Sequence, residues 1–321
     1  MNDQAKLPQT YRPSQLIDEG EALARRAWEA RSQGIVHGPA VSAFPTLAKE
    51  ICGSIPVGLT VLLGSPGSGK SALAGQIADH SGVPTLIATF EMSPLELLRR
   101  SASRINDVYT SKYRDGSLTP DEWRRQITKA AIELGHLAYL DGTRDYVSET
   151  DLANELLSLR QDLGNSEHAL LVIDSVSAWA RSSQSNTNEN DAVTIRLRAL
   201  QKIASEGGIS VFAIGEQNRA NRDTEKQEAG AGSRVFEYGA EVLMTLKKGE
   251  ENSEGVVDVD LILAKNRLGR AGNKVAMQFD GGKMRFAEIP KEVQAYPLPA
   301  RGRNGSTKLV RIASEHNGRS V

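Results

Sequence analysis

Residues 64–71 read Gly-Ser-Pro-Gly-Ser-Gly-Lys-Ser and match the pattern G-x-x-x-x-G-K-[ST]. Glycines in such a loop let successive backbone N–H groups face phosphate oxygens, and the N-terminus of the following helix adds partial positive charge. We expect Lys70 to reach the β- and γ-phosphates of ATP and Ser71 to ligate Mg²⁺. The rest of the predicted binding segment is Gly64, Ser65, Pro66, Gly67, Ser68, Gly69 and Ala72.

The flanks of this loop favour phosphate binding over a glycine-rich turn that binds nothing. An apolar run at 59–63 predicts a buried strand before the loop. Leu73 and Ile77 follow it one helical turn apart, which predicts a helix after the loop. This strand–loop–helix context is the one that the motif requires.

Composition bounds the class of protein. A chain of 321 residues with 39% hydrophobic content fits one α/β domain of about 230–250 residues plus extensions. The single cysteine, Cys52, excludes a disulfide framework and suits a reducing compartment, so we expect a cytoplasmic protein. No segment approaches the roughly 20 apolar residues of a membrane span, which argues against a membrane partner. The net charge of −1 gives no overall signal for nucleic acid.

The pattern of apolar runs predicts an α/β fold with a mainly parallel sheet flanked by helices. Buried strands are expected at 84–90, 169–174 and 209–215, with helices between them at 94–105, 120–134, 151–163 and from Asp191 onward. The pattern then changes to strands without intervening helices, at 241–247, 256–264, 274–279 and 283–287. These predict an extension of the sheet by C-terminal antiparallel strands.

Three regions are expected along the chain. Residues 1–34 form a tail and a linker helix, 35–289 the ATPase domain, and 290–321 a flexible basic tail. On the linker helix Leu16, Gly20, Leu23 and Ala27 share one side. The sequence leaves open whether that side packs on its own domain or on a neighbouring subunit.

Two acids follow predicted strands, where ligands bind in parallel sheets. Glu91 comes directly after the strand at 84–90 and is a candidate to orient and deprotonate an attacking water. Asp174 ends the strand at 169–174 and is a candidate to hold Mg²⁺ through a bound water. The alternatives without a catalytic role are a solvated carboxylate at a strand end for Glu91 and an aspartate that caps a turn for Asp174.

The chain resembles the RecA-like ATPase domain of DnaB-type replicative helicases over about residues 35–288. The matching blocks, in the order and spacing of that family, are Phe-Glu-Met-Ser at 90–93, Leu-Val-Ile-Asp at 171–174, Ala-Ile-Gly-Glu-Gln-Asn-Arg at 213–219, Ala-Gly-Ser-Arg-Val-Phe-Glu-Tyr-Gly-Ala-Glu at 231–241 and Ala-Lys-Asn-Arg-Leu-Gly at 264–269. Only residues 1–34 precede the matching region, whereas replicative enzymes carry an N-terminal helical domain that engages primase. We therefore expect the chain to be more similar to the compact, single-domain helicases of plasmids and phages, or to an accessory ATPase.

The resemblance implies a RecA-like P-loop core and a role for several residues. Lys70 and Ser71 would bind phosphate and Mg²⁺, Glu91 would be the catalytic carboxylate, and Asp174 the second metal-binding acid. Arg267 falls on the family's arginine finger, which reaches the nucleotide of the next subunit, with Lys265 assisting. The alternative interpretation of Lys265, Arg267 and Arg270 is a basic turn between antiparallel strands.

One departure concerns the residue that senses the γ-phosphate. Alignment without gaps places Glu216 where the family carries a glutamine, and Gln217 comes one residue later. Because a one-residue shift on a strand reverses the side chain's direction, either residue is a candidate. A carboxylate would be repelled by phosphate unless it were protonated or bound to metal.

Two polar segments are candidates for contact with nucleic acid, at 181–190 and 218–233. By analogy with RecA-like rings, loops after these strands face a central channel. The basic side chains expected to contact single-stranded DNA are Arg219, Arg222, Lys226 and Arg234. Solvated surface loops of mixed charge are the alternative.

The sequence thus predicts a Mg²⁺-dependent ATPase of the DnaB-type group, assembled as a homo-oligomer, expected to be a hexamer, that translocates on or unwinds nucleic acid. Replication or other protein partners are consistent with that class. A recombination-type RecA-like filament is one alternative. A regulatory or scaffolding ATPase that controls protein partners without unwinding is another.

Overall fold

The computed structural model describes residues 11–182, 188–216, 236–237, 239–253 and 255–290. Within these residues one nine-stranded sheet has the order β3-β2-β4-β5-β1-β6-β7-β8-β9. The strands are β1 Gly58–Gly64, β2 Thr85–Thr89, β3 Leu137–Asp141, β4 Leu170–Asp174, β5 Ser210–Ile214, β6 Val242–Glu251, β7 Val256–Asn266, β8 Lys274–Asp280 and β9 Arg285–Glu288. The first six pair in parallel, and β7, β8 and β9 add antiparallel pairs. The predicted mainly parallel sheet with an antiparallel extension is confirmed.

Helices cover both faces of the sheet. Their bounds are α1 Ile17–Ser32, α2 Pro45–Glu50, α3 Lys70–Asp79, α4 Pro94–Asn106, α5 Pro120–Glu133, α6 Glu149–Asp162, α7 Val176–Ser182 and α8 Glu189–Gly207, with 3-10 turns at Pro13–Leu16 and Thr110–Tyr113. Side-chain oxygens of Ser93, Thr119, Ser148 and Asn188 accept hydrogen bonds at the N-termini of α4, α5, α6 and α8. These caps satisfy backbone donors that a helix start otherwise leaves free.

Alternation along the strands builds two apolar layers. On β1, Leu62 joins the layer that contains Leu73 and Ile77 of α3, while Val61 and Leu63 join the layer against α7 and α8. Strand β7 has one apolar face, because the alternating residues Val257, Val259, Leu261 and Leu263 are all buried. The sheet therefore holds α3, which follows the phosphate loop, in a fixed place.

Two short elements are absent from the sequence prediction. Strand β3 is an edge strand beside β2, and all of its residues are half-buried. Helix α7 follows β4 almost directly and carries the buried Trp179. The segment 181–190, predicted as one polar loop, is therefore partly helical: Arg181 lies in α7, Glu189 begins α8, and the two side chains form an ion pair at 3.0 Å.

Helix α1 is exposed along its length within the described residues. Leu23 and Trp28 leave 46% and 69% of their surface open, so the apolar side of α1 does not pack on its own domain. An ion pair of 2.6 Å between Arg26 and Glu167 joins the helix to the rest of the chain. The remaining alternative, docking on a neighbouring subunit, is left as a proposal.

The chain divides into two units, Met1–Ile289 and Pro290–Val321. The second lies outside the described residues after Pro290, and the predicted domain boundaries stay a prediction. No helix among the described residues has both the length and the apolar character needed to cross a bilayer.

Candidate nucleotide-binding site

The loop between β1 and α3 has the backbone conformation of a phosphate cradle. Gly67 and Gly69 adopt φ of 74° and 91°, a region that side chains disfavour. At Gly69, the N-cap of α3, an added Cβ would lie 2.7 Å from Cζ of Phe286. Gly69 is therefore required by both its backbone and its neighbour. The hydroxyl of Ser68 is buried without a hydrogen-bond partner among the described residues, so a polar group inside this loop is left for a ligand.

Lys70 is the first residue of α3, and its side chain folds back onto the phosphate loop. Its Nζ donates to the carbonyl oxygens of Gly64 at 2.9 Å and Ser65 at 3.0 Å. Burial lowers the pKa of Lys70, and the negative charges of Glu216, Asp174 and Glu91 oppose that shift. The ammonium group thus lies in the field of three carboxylates, a region where a divalent cation would also be stabilised.

Asp174 and Ser71 come together as the predicted Mg²⁺-holding pair. Asp174 ends β4 with 4% of its surface exposed. Burial raises the pKa of Asp174 to about 6, and a hydrogen bond with the Ser71 side chain works in the opposite direction. A hydroxyl and a buried carboxylate are hard oxygen ligands of the kind that Mg²⁺ takes. The residues present therefore fit a magnesium–nucleotide site.

Glu91 lies beside Asp174 because their strands are neighbours. Thr89 of β2 pairs with Asp174 of β4, and the Phe90 amide donates to the Asp174 carbonyl at 2.8 Å. Glu91 itself is exposed, and its Oε1 accepts a hydrogen bond of 2.7 Å from the hydroxyl of Ser175. An exposed carboxylate whose orientation is fixed by a hydrogen bond from a hydroxyl is suited to orient a water. Ser175 was missed by the sequence reasoning, although it directly follows Asp174.

Helix α3 is also held by β9, the outermost strand on the antiparallel side of the sheet. Gln76 Nε2 donates to the Phe286 carbonyl at 2.9 Å, and its Oε1 accepts from the Phe286 amide at 2.8 Å. Both partners are buried, and the ring of Phe286 stacks on that of Phe279. The antiparallel strands β8 and β9 therefore help to position the phosphate loop.

The predicted γ-phosphate sensor is described only in part. Glu216 is exposed two residues after β5, and its charge acts on Lys70. The other candidate, Gln217, lies outside the described residues. The predicted contacts with nucleic acid, Arg219, Arg222, Lys226 and Arg234, also lie outside them.

Arg267 lies at the opposite edge of the sheet from the phosphate loop. Val242 of β6 pairs with Thr60 near the start of β1, and Asn266 of β7 pairs with Val242. Arg267 follows Asn266, so at the rise of a strand it is separated from Gly64 by roughly 15 Å along β1. Arg267 therefore does not belong to the nucleotide site of its own chain.

The side chains near this edge are held by acceptor oxygens. Nη1 of Arg267 donates to Oε1 of Glu241 at 2.7 Å, and 53% of the arginine side chain is exposed. Nζ of Lys265 donates to the Glu237 carbonyl at 2.6 Å. Burial, and then the charge of Arg267, lower the pKa of Lys265. Arg267 is thus exposed but oriented.

Comparisons with known proteins agree with this arrangement. The family described as "DnaB-like helicase C terminal domain" matches residues 40–288. The replicative DNA helicase DnaB of Geobacillus stearothermophilus is 25% identical over 272 residues, which are 80% of this chain and 58% of that protein. A probable replicative DNA helicase of Guillardia theta is 28% identical over 166 residues, 50% of this chain and 27% of that protein. The chain thus spans less than two thirds of these relatives.

Solved structures share the fold. One solved ATPase domain superimposes with a TM-score of 0.70 at 18% identity, covering 85% of this chain and 99% of that one. A DnaB-like replicative helicase, solved in a study of its interactions with primase, gives a TM-score of 0.65 at 17% identity over 85% of this chain and 67% of that one. With its phosphate loop, paired acids and sheet in place, and with the family match over most of its length, this chain belongs to the DnaB-like helicase C-terminal domain family.

Proposed function

We propose that this protein is a Mg²⁺-dependent ATPase whose active sites form between copies of the chain, and that hydrolysis drives movement along single-stranded DNA. The observation that carries the proposal is the separation of two groups. Glu91, Asp174 and Lys70 meet at the phosphate loop, while Arg267 lies at the other edge of the sheet. A cation for the transition state would then come from a neighbouring copy.

Each residue at the phosphate loop has a defined task. Lys70 exchanges its carbonyl partners for the β- and γ-phosphates, and the loop amides bind the remaining oxygens. Ser71 and Asp174 hold Mg²⁺, which neutralises charge on the phosphates when it is bound. Glu91 positions the attacking water and accepts its proton.

Two exposed features support assembly into a ring, which we propose to be hexameric. Arg267 is oriented by Glu241 yet open to a partner, and Lys265 lies two residues before it in the chain. The exposed Leu23 of α1, together with Leu16 in the 3-10 turn before it, would be covered by docking on an adjacent subunit. Nucleotide binding and assembly would then reinforce each other.

The replication role rests on the relatives. One relative named above is described as a replicative DNA helicase and the other as a probable one, and one solved neighbour was studied for its interactions with primase. We propose that this chain also binds single-stranded DNA and acts with replication proteins. The predicted DNA contacts by Arg219, Arg222, Lys226 and Arg234 would make binding salt-sensitive and independent of sequence.

The test combines three measurements on the full chain. ATP turnover is measured with and without a single-stranded oligonucleotide, unwinding is measured on a forked duplex, and assembly is sized with a non-hydrolysable ATP analogue. Lys70→Ala is the matched inactive control. We expect DNA-stimulated turnover, unwinding and a ring-sized particle. Turnover unaffected by any single strand, with no unwinding, would remove translocation and favour a regulatory ATPase, and helical filaments would favour the recombination-type alternative.

A further inference from the structure

Two histidines and a glutamate meet at the edge of the sheet that is remote from the phosphate loop. His37 lies in the loop before α2, and Glu167 and His168 lie just before β4. The two imidazole rings approach to 4.2 Å between centroids, with their planes at 79°. One ring nitrogen of each histidine and a carboxylate oxygen of Glu167 all lie within 4.8 Å of one another. No motif in the sequence marks this cluster.

The histidines carry unsatisfied polar atoms. Nε2 of His37 and Nε2 of His168 are both buried and have no hydrogen-bond partner within the part of the chain that the structure describes. A buried polar atom without a partner is costly, and two such atoms on adjoining rings call for an explanation. A ligand shared by both rings would supply it.

We propose that His37, Glu167 and His168 bind a zinc ion, with water as the fourth ligand. Imidazole nitrogen and carboxylate oxygen are ligands of Zn²⁺ at about 2.0–2.2 Å, and three protein ligands plus water is a common zinc arrangement. Tetrahedral geometry at that bond length separates ligand atoms by roughly 3.3 Å. Any ligand atoms that are 4.8 Å apart therefore have to approach by about 1.5 Å when zinc binds.

Glu167 already has a competing partner. Its Oε1 lies 2.6 Å from Nη1 of Arg26, the ion pair that ties α1 to the rest of the chain. Nearly half of each side chain is exposed, so this pair is weak and open to exchange. Zinc and Arg26 would bind the same carboxylate, so zinc would loosen the hold of the domain on α1. The site would thereby affect the helix that we propose docks on a neighbouring subunit.

The zinc site is separate from the magnesium site. His168 precedes β4 and Asp174 ends it, so the two sites are roughly 20 Å apart at the rise of a strand. Zinc binding can therefore be measured while millimolar Mg²⁺ occupies the oxygen ligands at the phosphate loop. The outcome does not depend on ATPase activity.

The experiment titrates tag-free, nucleotide-free protein with Zn²⁺ against a chromophoric chelator in excess Mg²⁺. We expect one zinc per chain, and a fall in affinity of at least roughly tenfold in His37→Gln and in His168→Gln. His80→Gln, which alters an exposed histidine outside the cluster, is the matched control and should bind as wild type. Glu167→Gln changes an exposed group and serves if a histidine variant fails to fold. Wild-type affinity in all three cluster variants, or no binding at all, overturns the proposal.

A second pair of variants tests the competition. Arg26→Ala removes the rival cation and should raise zinc affinity several-fold, whereas Arg25→Ala, whose partner is Glu21, should not. Co²⁺ in place of Zn²⁺ should give visible absorption bands typical of four-coordinate cobalt, lost in His168→Gln. An unchanged affinity in Arg26→Ala refutes the link to α1, and cobalt bands that survive in His168→Gln refute the ligand set.

Discussion

Nη1 of Arg267 lies 2.7 Å from Oε1 of Glu241, on the edge of the sheet opposite to the phosphate loop. The arginine backbone amide also donates to the Glu241 carbonyl at 3.0 Å. Glu241 therefore fixes both the backbone and the side chain of Arg267, which does not contact the nucleotide site of its own chain. Such a preorganised cation is suited to complete a site on another copy.

Arg267→Ala should leave ATP affinity within about threefold of wild type and lower kcat by about 10³, because only transition-state charge loses its partner. Turnover and binding of a fluorescent nucleotide are the measurements. Arg270→Ala, a nearby exposed cation in the same turn, is the control and should retain activity. Normal turnover in Arg267→Ala would refute the proposed role.

Glu91→Gln should bind ATP normally and lose about 10²–10⁴-fold in kcat, since the amide accepts no proton. Ser175→Ala removes the 2.7 Å hydrogen bond to Glu91, together with a 3.3 Å hydrogen bond accepted from the Ala178 amide, and should have a smaller effect on kcat. Pre-steady-state phosphate release separates binding from chemistry. If Glu91→Gln hydrolyses ATP at the wild-type rate, another group is the base.

Mixing these two inactive variants tests the shared site directly. In a mixed assembly, an Arg267→Ala copy still has Glu91, and a Glu91→Gln neighbour still has Arg267. Some subunit interfaces therefore contain both Glu91 and Arg267, and partial ATPase activity should return on mixing. A site completed within one chain predicts no recovery at any ratio.

Nucleotide binding with Mg²⁺ should weaken as the pH falls through about 6, because burial raises the pKa of Asp174 to about 6 and a protonated acid cannot hold the metal. One unit below that pKa, at pH 5, roughly a tenth of the molecules keep Asp174 ionised, so affinity should drop about tenfold more than in Asp174→Asn. That variant corrects for titration of the nucleotide itself. Parallel pH profiles for both proteins would contradict the assignment.

The raised pKa of Asp174 also predicts how the stability of the protein depends on pH when no metal is bound. Since its folded pKa lies above the ordinary value of 3.8, the folded state holds more protons between about pH 4 and 6, and the contribution of Asp174 to stability falls as the pH rises through that window. Asp174→Asn should therefore melt at a higher temperature than wild type at pH 7. The difference should vanish near pH 4, as thermal unfolding in EDTA would reveal.

Glu216→Gln should raise the affinity for ATP by roughly fivefold, because it removes a negative charge that acts on Lys70 at the phosphate loop. The gain should be larger for ATP than for ADP, since the γ-phosphate carries the extra charge. Isothermal titration with both nucleotides checks this. A loss of ATP affinity would instead assign Glu216 a favourable contact, for example through the metal.

Gly69→Ala should destabilise the protein more than Gly67→Ala. Both positions have positive φ, so both substitutions carry backbone strain of about 1 kcal/mol or more. Only at Gly69 does the new methyl group meet Phe286, at 2.7 Å, which adds about 1–3 kcal/mol of overpacking, whereas the space at Gly67 is open. Urea unfolding without nucleotide measures the difference. Equal losses would mean that Phe286 moves aside freely.

The elements that position the nucleotide site could be predicted from local patterns. Each of Lys70, Glu91 and Asp174 follows an apolar run long enough to predict a buried strand, and parallel strands bring their carboxyl ends to one edge. The structure brings these three together, as expected. Their catalytic roles stay predictions.

Other features have no local signal. Strand β3 follows α5 after only a short connection, and all of its residues are half-buried. Its hydrophobic periodicity is therefore ambiguous. Helix α7 continues the apolar run of β4 almost without a break. The cluster of His37 and His168 exists only because two loops distant in the sequence meet at one edge of the sheet. Pattern reading cannot find contacts of that kind.

The paired hydrogen bonds between Gln76 and Phe286 join positions that are 210 residues apart. A nascent chain emerging from the ribosome therefore makes the helix after its phosphate loop long before the strand that anchors that helix. Full support of the phosphate loop by the sheet would therefore arrive only after β9 has been made.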